Sequence, residues 1–141
     1  MYIGSMKVKT RAEAVNFIDK AVKKNPRIEL CILYGSAARD ELQDSSDLDL
    51  VLGADQPLTT PECLDLSLSL GGQTGREVSV NSIEKMEGLI LREILNKGVI
   101  IKNTNPDFLA RFIIKMYDFV EDLLPLQLEG QKAQIRRFLY E

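Results

Sequence analysis

The chain contains no histidine and no tryptophan. Without histidine there is no Ser-His-Asp triad, no Cys-His pair, no histidine zinc site and no histidine-dependent ribonuclease chemistry. Catalysis would have to run on carboxylates, hydroxyls or a bound metal. Cysteine is equally scarce: Cys31 lies in an apolar run and Cys63 beside Leu64, and neither belongs to a C-x-x-C pair. That is no disulfide framework, and both are expected as packed thiols in a reducing cytoplasm. No apolar stretch is long enough to span a bilayer, and the first ten residues lack the apolar core of a signal peptide. The expectation is a cytoplasmic protein with no membrane association. Positive charge is not in excess either, with 18 Lys and Arg against 21 Asp and Glu and a formal net charge of -3. Direct gripping of nucleic acid needs a basic face, so it is not expected here. Two short basic clusters, Lys20 to Lys24 and Lys132 to Arg137, read as solvated helix faces.

What is present is the balance of an ordinary folded domain: 141 residues, 45% hydrophobic and 28% charged. One domain over residues 1–141 is expected, with a core at about 10–104 and a C-terminal helical segment at about 105–141. Either Met1 or Met6 could be the natural start.

Thr10 with Glu13 forms a capping-box pattern, and Ala14, Val15, Ile18, Ala21 and Val22 then recur at helical spacing up to Asn25-Pro26. Ile28 to Tyr34 is continuous and apolar between Pro26 and Gly35, which predicts a strand buried on both faces. Ala37-Ala38-Arg39 reads as the first turn of a short helix, Gln43 to Ser46 as a polar loop, and Asp47 to Leu52 as a second strand. Thr59, Pro61 and Glu62 open a helix in which Leu64, Leu66, Leu68 and Leu70 alternate with polar residues. That period alone suits a strand, but the caps and length favour a helix ended by Gly71-Gly72. A short strand is expected at Val78 to Val80, a helix opened by Asn81 with Glu84 and closed by Lys97-Gly98, and a last strand at Val99 to Lys102. From Asn105-Pro106 a long helix carries Phe108, Leu109, Phe112, Ile113, Met116, Phe119, Val120 and Leu123 as an apolar stripe. Pro125 breaks it, and a further amphipathic piece carries Ile135, Phe138 and Leu139. The order predicts a small mixed α/β domain. Part of the C-terminal stripe either covers the sheet or docks a partner.

One segment carries chemistry. Gly35-Ser36 follows the buried strand, and ten residues later Asp47-Leu48-Asp49 enters the next one. Glycine allows a close turn, and a helix beginning at Ser36 would aim backbone N–H groups and a hydroxyl at a phosphate. The pleat points Asp47 and Asp49 to one side, where two carboxylates need a cation, and Mg²⁺ holding substrate phosphates satisfies them.

This pattern, with Arg39 between its halves, resembles the signature of the DNA polymerase beta nucleotidyltransferase superfamily. Within it, the chain is most similar to minimal nucleotidyltransferases of the MntA antitoxin type, encoded beside HEPN ribonuclease toxins. The resemblance implies a polymerase-beta-like mixed sheet of three or four strands flanked by helices. It also implies ATP and Mg²⁺ as cofactors, and transfer of AMP to a tyrosine of a HEPN toxin held in a hetero-oligomer. Mapped onto this sequence, Gly35 and Ser36 would hold the triphosphate, Asp47 and Asp49 would bind metal, and Arg39 would orient phosphate or the loop. Two positions depart from the pattern. Asp40 stands where the family has glycine, and Ser79 where it has a third carboxylate. Glu77, two residues earlier on the same strand face, is the candidate replacement, or else a surface carboxylate paired with Arg76. The alternatives are an impaired antitoxin that only binds its partner, and a nucleotidyltransferase acting on a small molecule.

Overall fold

The computed structural model describes residues 7–123, without the side chains of 122 and 123. Eight main elements follow one another: α1 (Arg11–Lys23), β1 (Ile28–Tyr34), β2 (Leu48–Ala54), α2 (Thr60–Thr74), β3 (Val78–Ser82), α3 (Gly88–Lys97), β4 (Val99–Asn103) and α4 (Pro106–Leu123). The strands form one sheet in the order β3-β2-β1-β4. β1 is antiparallel to both neighbours, and β2 runs parallel to β3 across the α2 crossover. This is the mixed α/β architecture that the element order predicts.

Both faces of the sheet are covered, so the continuous apolar runs of the central strands are buried on both sides. Cys31, Leu33, Leu48, Leu50 and Leu52 pack under α1 and α2 with Ala14, Ile18, Val22 and Leu70. Leu30, Ile32 and Val51 face the other way, onto Leu91 and Ile94 of α3 and Phe108, Phe112, Met116 and Val120 of α4. The α4 stripe is therefore spent largely on the sheet, although Ile113 of the stripe is 37% exposed and Ile114 and Tyr117 remain 60% exposed beside it. Gly53 of β2 lies directly under the Phe108 ring, in space that a side chain would fill. Lys20, Lys23 and Lys24 are solvated, as expected. Among the described residues no helix is long and apolar enough to cross a membrane.

Local signals hold where the bonds are local. The Thr10 hydroxyl accepts from the Glu13 amide, and Thr59 with Glu62 makes a reciprocal capping box. The leucine alternation does sit on a helix. A period of two cannot stay on one helical face, and so Leu64 and Leu68 are exposed while Leu70 is buried.

Four boundaries differ from expectation. The glycine pair does not end α2, which runs on to Thr74 and stops at Gly75 in the left-handed region (φ 72°), whose N–H donates to the Gly71 carbonyl. Ala37 to Arg39 form no helix. They belong to a turn over 35–40, closed by Arg39 N–H to Gly35 O and ended by Asp40 at φ 57°. Asn81 does not cap a helix. β3 extends through Ser82, whose hydroxyl caps a short 3₁₀ turn at Ile83–Lys85, and α3 starts only at Gly88. β2 starts at Leu48 and runs to Ala54, which leaves Asp47 just ahead of the strand. Pro125, the 132–137 basic cluster and the piece carrying Ile135, Phe138 and Leu139 lie outside the described residues.

Candidate active site

Strand register brings the two halves of the motif together. Tyr34, the last residue of β1, pairs with Asp49 of β2, so the turn that begins at Gly35 stands over the Asp49 side chain. Gly35 holds φ at 76°, and a Cβ built there would lie 2.6 Å from Asp49 Oδ2. Only a residue without a side chain lets the carboxylate approach the turn this closely.

On its other side, β2 is in parallel register with β3, which sets Asp49 beside Ser79 and Val51 beside Asn81. One step earlier, the Leu48 N–H donates to the Glu77 carbonyl at 2.9 Å. Asp47 is exposed, whereas Asp49 is half-buried. Burial raises the Asp49 pKa above the usual carboxylate value, and the neighbouring Asp47 charge raises it further. Tyr34 is also shifted upward, by burial first and then by Asp49, against a hydrogen bond with Asn81 that favours the phenolate. The Asn81 amide in turn donates to the Ser79 hydroxyl at 3.3 Å. Tyr34, Asp49, Ser79 and Asn81 thus form one polar floor. Sequence reasoning missed Tyr34 and Asn81. The strand period could have placed Asn81 on the face of Ser79, two residues away, whereas Tyr34 joins them only through its pairing with Asp49.

The remaining candidates sit around this floor. Ser36 lies in the turn, half-buried. Arg39 points along the surface, with Nε 3.5 Å from Glu41 and Nη1 3.7 Å from Glu93 of α3. Exposed pairs at such distances are weak and leave the guanidinium free to turn to another anion. Asp40 ends the turn with its carboxylate accepting the Arg11 N–H at 2.9 Å, and Arg11 Nη1 donates to the Ala38 carbonyl at 3.1 Å. The N-terminus of α1 is thereby tied to the motif turn. The left-handed backbone at Asp40 also explains why glycine suits this position, and aspartate is among the side chains that tolerate it.

Glu77 is exposed, and Arg76 does not pair with it. The guanidinium is buried and donates to backbone carbonyls instead. A hollow of about 300 Å³ borders Asp47 and Glu77 between Lys7 and Ser46. A larger one of about 610 Å³ lies by Gly71, Gly72 and Val78 on the α2 side, away from Asp49. Among the described residues no cluster of three or more His, Cys, Asp or Glu could hold a metal ion. Asp47 and Asp49 alone still fit Mg²⁺, which is ordinarily bound by one or two carboxylates completed by phosphate oxygens and water.

The polymerase beta nucleotidyltransferase family model matches residues 16–107. No curated protein sequence matches the chain. Several solved structures share its fold. One is a toxin–antitoxin complex with AMP-PNP, at 20% identity and a TM-score of 0.68 over 87% of this chain and 96% of that one. A second is the MNT antitoxin in complex with the tri-AMPylated HEPN toxin of Shewanella oneidensis, at 19% identity and a TM-score of 0.65 over 91% and 98%. A third is the MntA-HepT toxin–antitoxin, at 19% identity and a TM-score of 0.62 over 88% and 95%. With the family model matched from within α1 to the start of α4, the chain belongs to the polymerase beta nucleotidyltransferase family.

Proposed function

We propose that this chain is an antitoxin nucleotidyltransferase that moves AMP from ATP to a tyrosine hydroxyl of a partner HEPN ribonuclease toxin. The observation that carries the reading is the contact of the Gly35 turn with the Asp49 carboxylate, which joins the two motif halves in one site. The similar folds solved with AMP-PNP and with an AMPylated HEPN toxin support the choice of nucleotide and acceptor.

Gly35 and Ser36 seat the triphosphate, and Arg39 swings from its weak surface pairs to the phosphates. Asp47 and Asp49 hold Mg²⁺, which when bound neutralises phosphate charge and favours in-line displacement. The acceptor phenol oxygen forms a bond to the α-phosphorus as the bond to the bridging oxygen of pyrophosphate breaks, and pyrophosphate leaves with that electron pair. The phenolic proton passes through water to a carboxylate. We assign that role to Glu77, next to Asp47 across the β2–β3 pair, since Ser79 has no comparable basicity.

Incubation with ATP, Mg²⁺ and a HEPN partner should add the mass of AMP to the partner's tyrosine, and Asp47→Asn or Asp49→Asn should abolish the addition. Absence of both transfer and partner binding would sink the proposal. A second reading is favoured by Ser79 and by the lack, among the described residues, of a third clustered acid: a binding-only antitoxin. It predicts a stable complex with the partner, no AMP addition, and a gain of transfer in Ser79→Asp.

A further inference from the structure

Among the described residues Arg76 is the one charged residue that is buried, with 6% of its surface exposed. A buried cation is costly unless its donors are met, and among the described residues no carboxylate comes within ion-pairing distance of this one. Backbone carbonyls from two distant segments meet it instead. Nε donates to Val8 O at 2.6 Å, and Nη1 donates to Gln43 O at 2.7 Å and to Ser46 O at 2.8 Å.

Those last two carbonyls are the ends of a turn that is already closed on itself. The Ser46 N–H donates to Gln43 O at 3.1 Å, and the Gln43 N–H donates to the Ser46 hydroxyl at 2.9 Å. The residue after that turn is Asp47. On the far side of Asp47, the Leu48 N–H is held by the carbonyl of Glu77. Asp47 is therefore gripped before and behind by the two consecutive residues just ahead of β3, through the side chain of the first and the backbone of the second. These bonds to its neighbours hold the backbone from which the exposed Asp47 carboxylate projects.

We propose that Arg76 is a positioning residue of the site, whose guanidinium clamps the 43–46 turn to β3 and so sets Asp47 against Asp49. The proposal rests on the assignment of Asp47 and Asp49 to metal and nucleotide. Lysine cannot substitute, because one ammonium lacks the planar fork that serves carbonyls lying in two directions.

The test compares Arg76→Lys, which keeps the buried charge, and Arg76→Gln with the unaltered protein. Amide hydrogen exchange over residues 43–48 should quicken by about tenfold or more, while β1 stays protected. Titration with Mn²⁺ in the presence of ATP should show affinity reduced by about 10- to 100-fold, the range found when groups supporting a metal ligand are removed. In an Asp47→Asn background, Arg76→Lys should cost no further Mn²⁺ affinity. A lowered Tm with unchanged exchange at 43–48 and unchanged Mn²⁺ affinity would reduce Arg76 to a core ion and overturn the proposal. An equal loss in the Asp47→Asn background would overturn its route through Asp47. If the unaltered protein binds no Mn²⁺ with ATP, the metal reading of the site fails, and the exchange data alone then decide whether the clamp exists.

Discussion

Replacing Gly35 with alanine tests the contact on which the site is built. At φ 76° the residue lies where an L side chain costs about 1–2 kcal/mol. The added methyl would stand 2.6 Å from Asp49 Oδ2, and carbon–oxygen contacts rarely close below about 3.3 Å, so the carboxylate has to withdraw by about 0.7 Å. Forcing Asp49 off its rotamer adds about 0.5–1.5 kcal/mol. Gly35→Ala should therefore lose about 1.5–3.5 kcal/mol in urea unfolding, and weaken binding of Mg²⁺-ATP because the displaced carboxylate leaves both turn and metal. Gly72→Ala is the internal control. It lies inside α2, nothing approaches its added methyl within 4 Å, and it should gain about 0.5–1 kcal/mol. If Gly35→Ala unfolds at the same urea concentration as the unaltered protein and binds Mg²⁺-ATP equally well, the close approach of Asp49 to the turn does not shape the site and the reasoning fails.

Three further outcomes follow from the same geometry. Because burial and then Asp47 raise the Asp49 pKa, its contribution to stability is complete below the unfolded value near 3.8 and is lost as pH rises through the raised folded value. Asp49→Asn should accordingly raise the Tm of the metal-free protein more at pH 7 than at pH 4; an equal gain at both would refute the shift. Asp40→Ala should lose about 1–2 kcal/mol in denaturant unfolding, from left-handed strain and the vacated Arg11 amide, whereas Asp40→Gly, free of the strain, should lose less. Equal losses would show that backbone conformation at this position is immaterial. Gly53→Ala should lose about 1–3 kcal/mol by overpacking against Phe108, and Phe108→Leu introduced with it should restore part of the loss. Failure of the second substitution to help would place the strain elsewhere.

By itself the sequence determined whatever rests on bonds between near neighbours or on a pattern that one element carries alone. The caps at Thr10 and Thr59 join residues three apart, and the apolar run of β1 requires cover on both faces whichever helices supply it. The Gly-Ser and Asp-Leu-Asp segments were legible for the same reason, as was the helix beneath the alternating leucines. Tertiary structure decided what depends on distant partners. The extension of α2 to Thr74 and the delay of α3 to Gly88 run against local glycine and asparagine signals, because helix ends settle where the packed chain needs to turn. Tyr34 and Asn81 joined the polar floor only through the pairing of β1 and β3 with β2. Arg76, which in sequence looks like a surface partner for Glu77, turned inward because three carbonyls from residues 30 to 68 positions away converge on it. Which strand lies beside which, and in what register, is a long-range choice, and it places each side chain of the site.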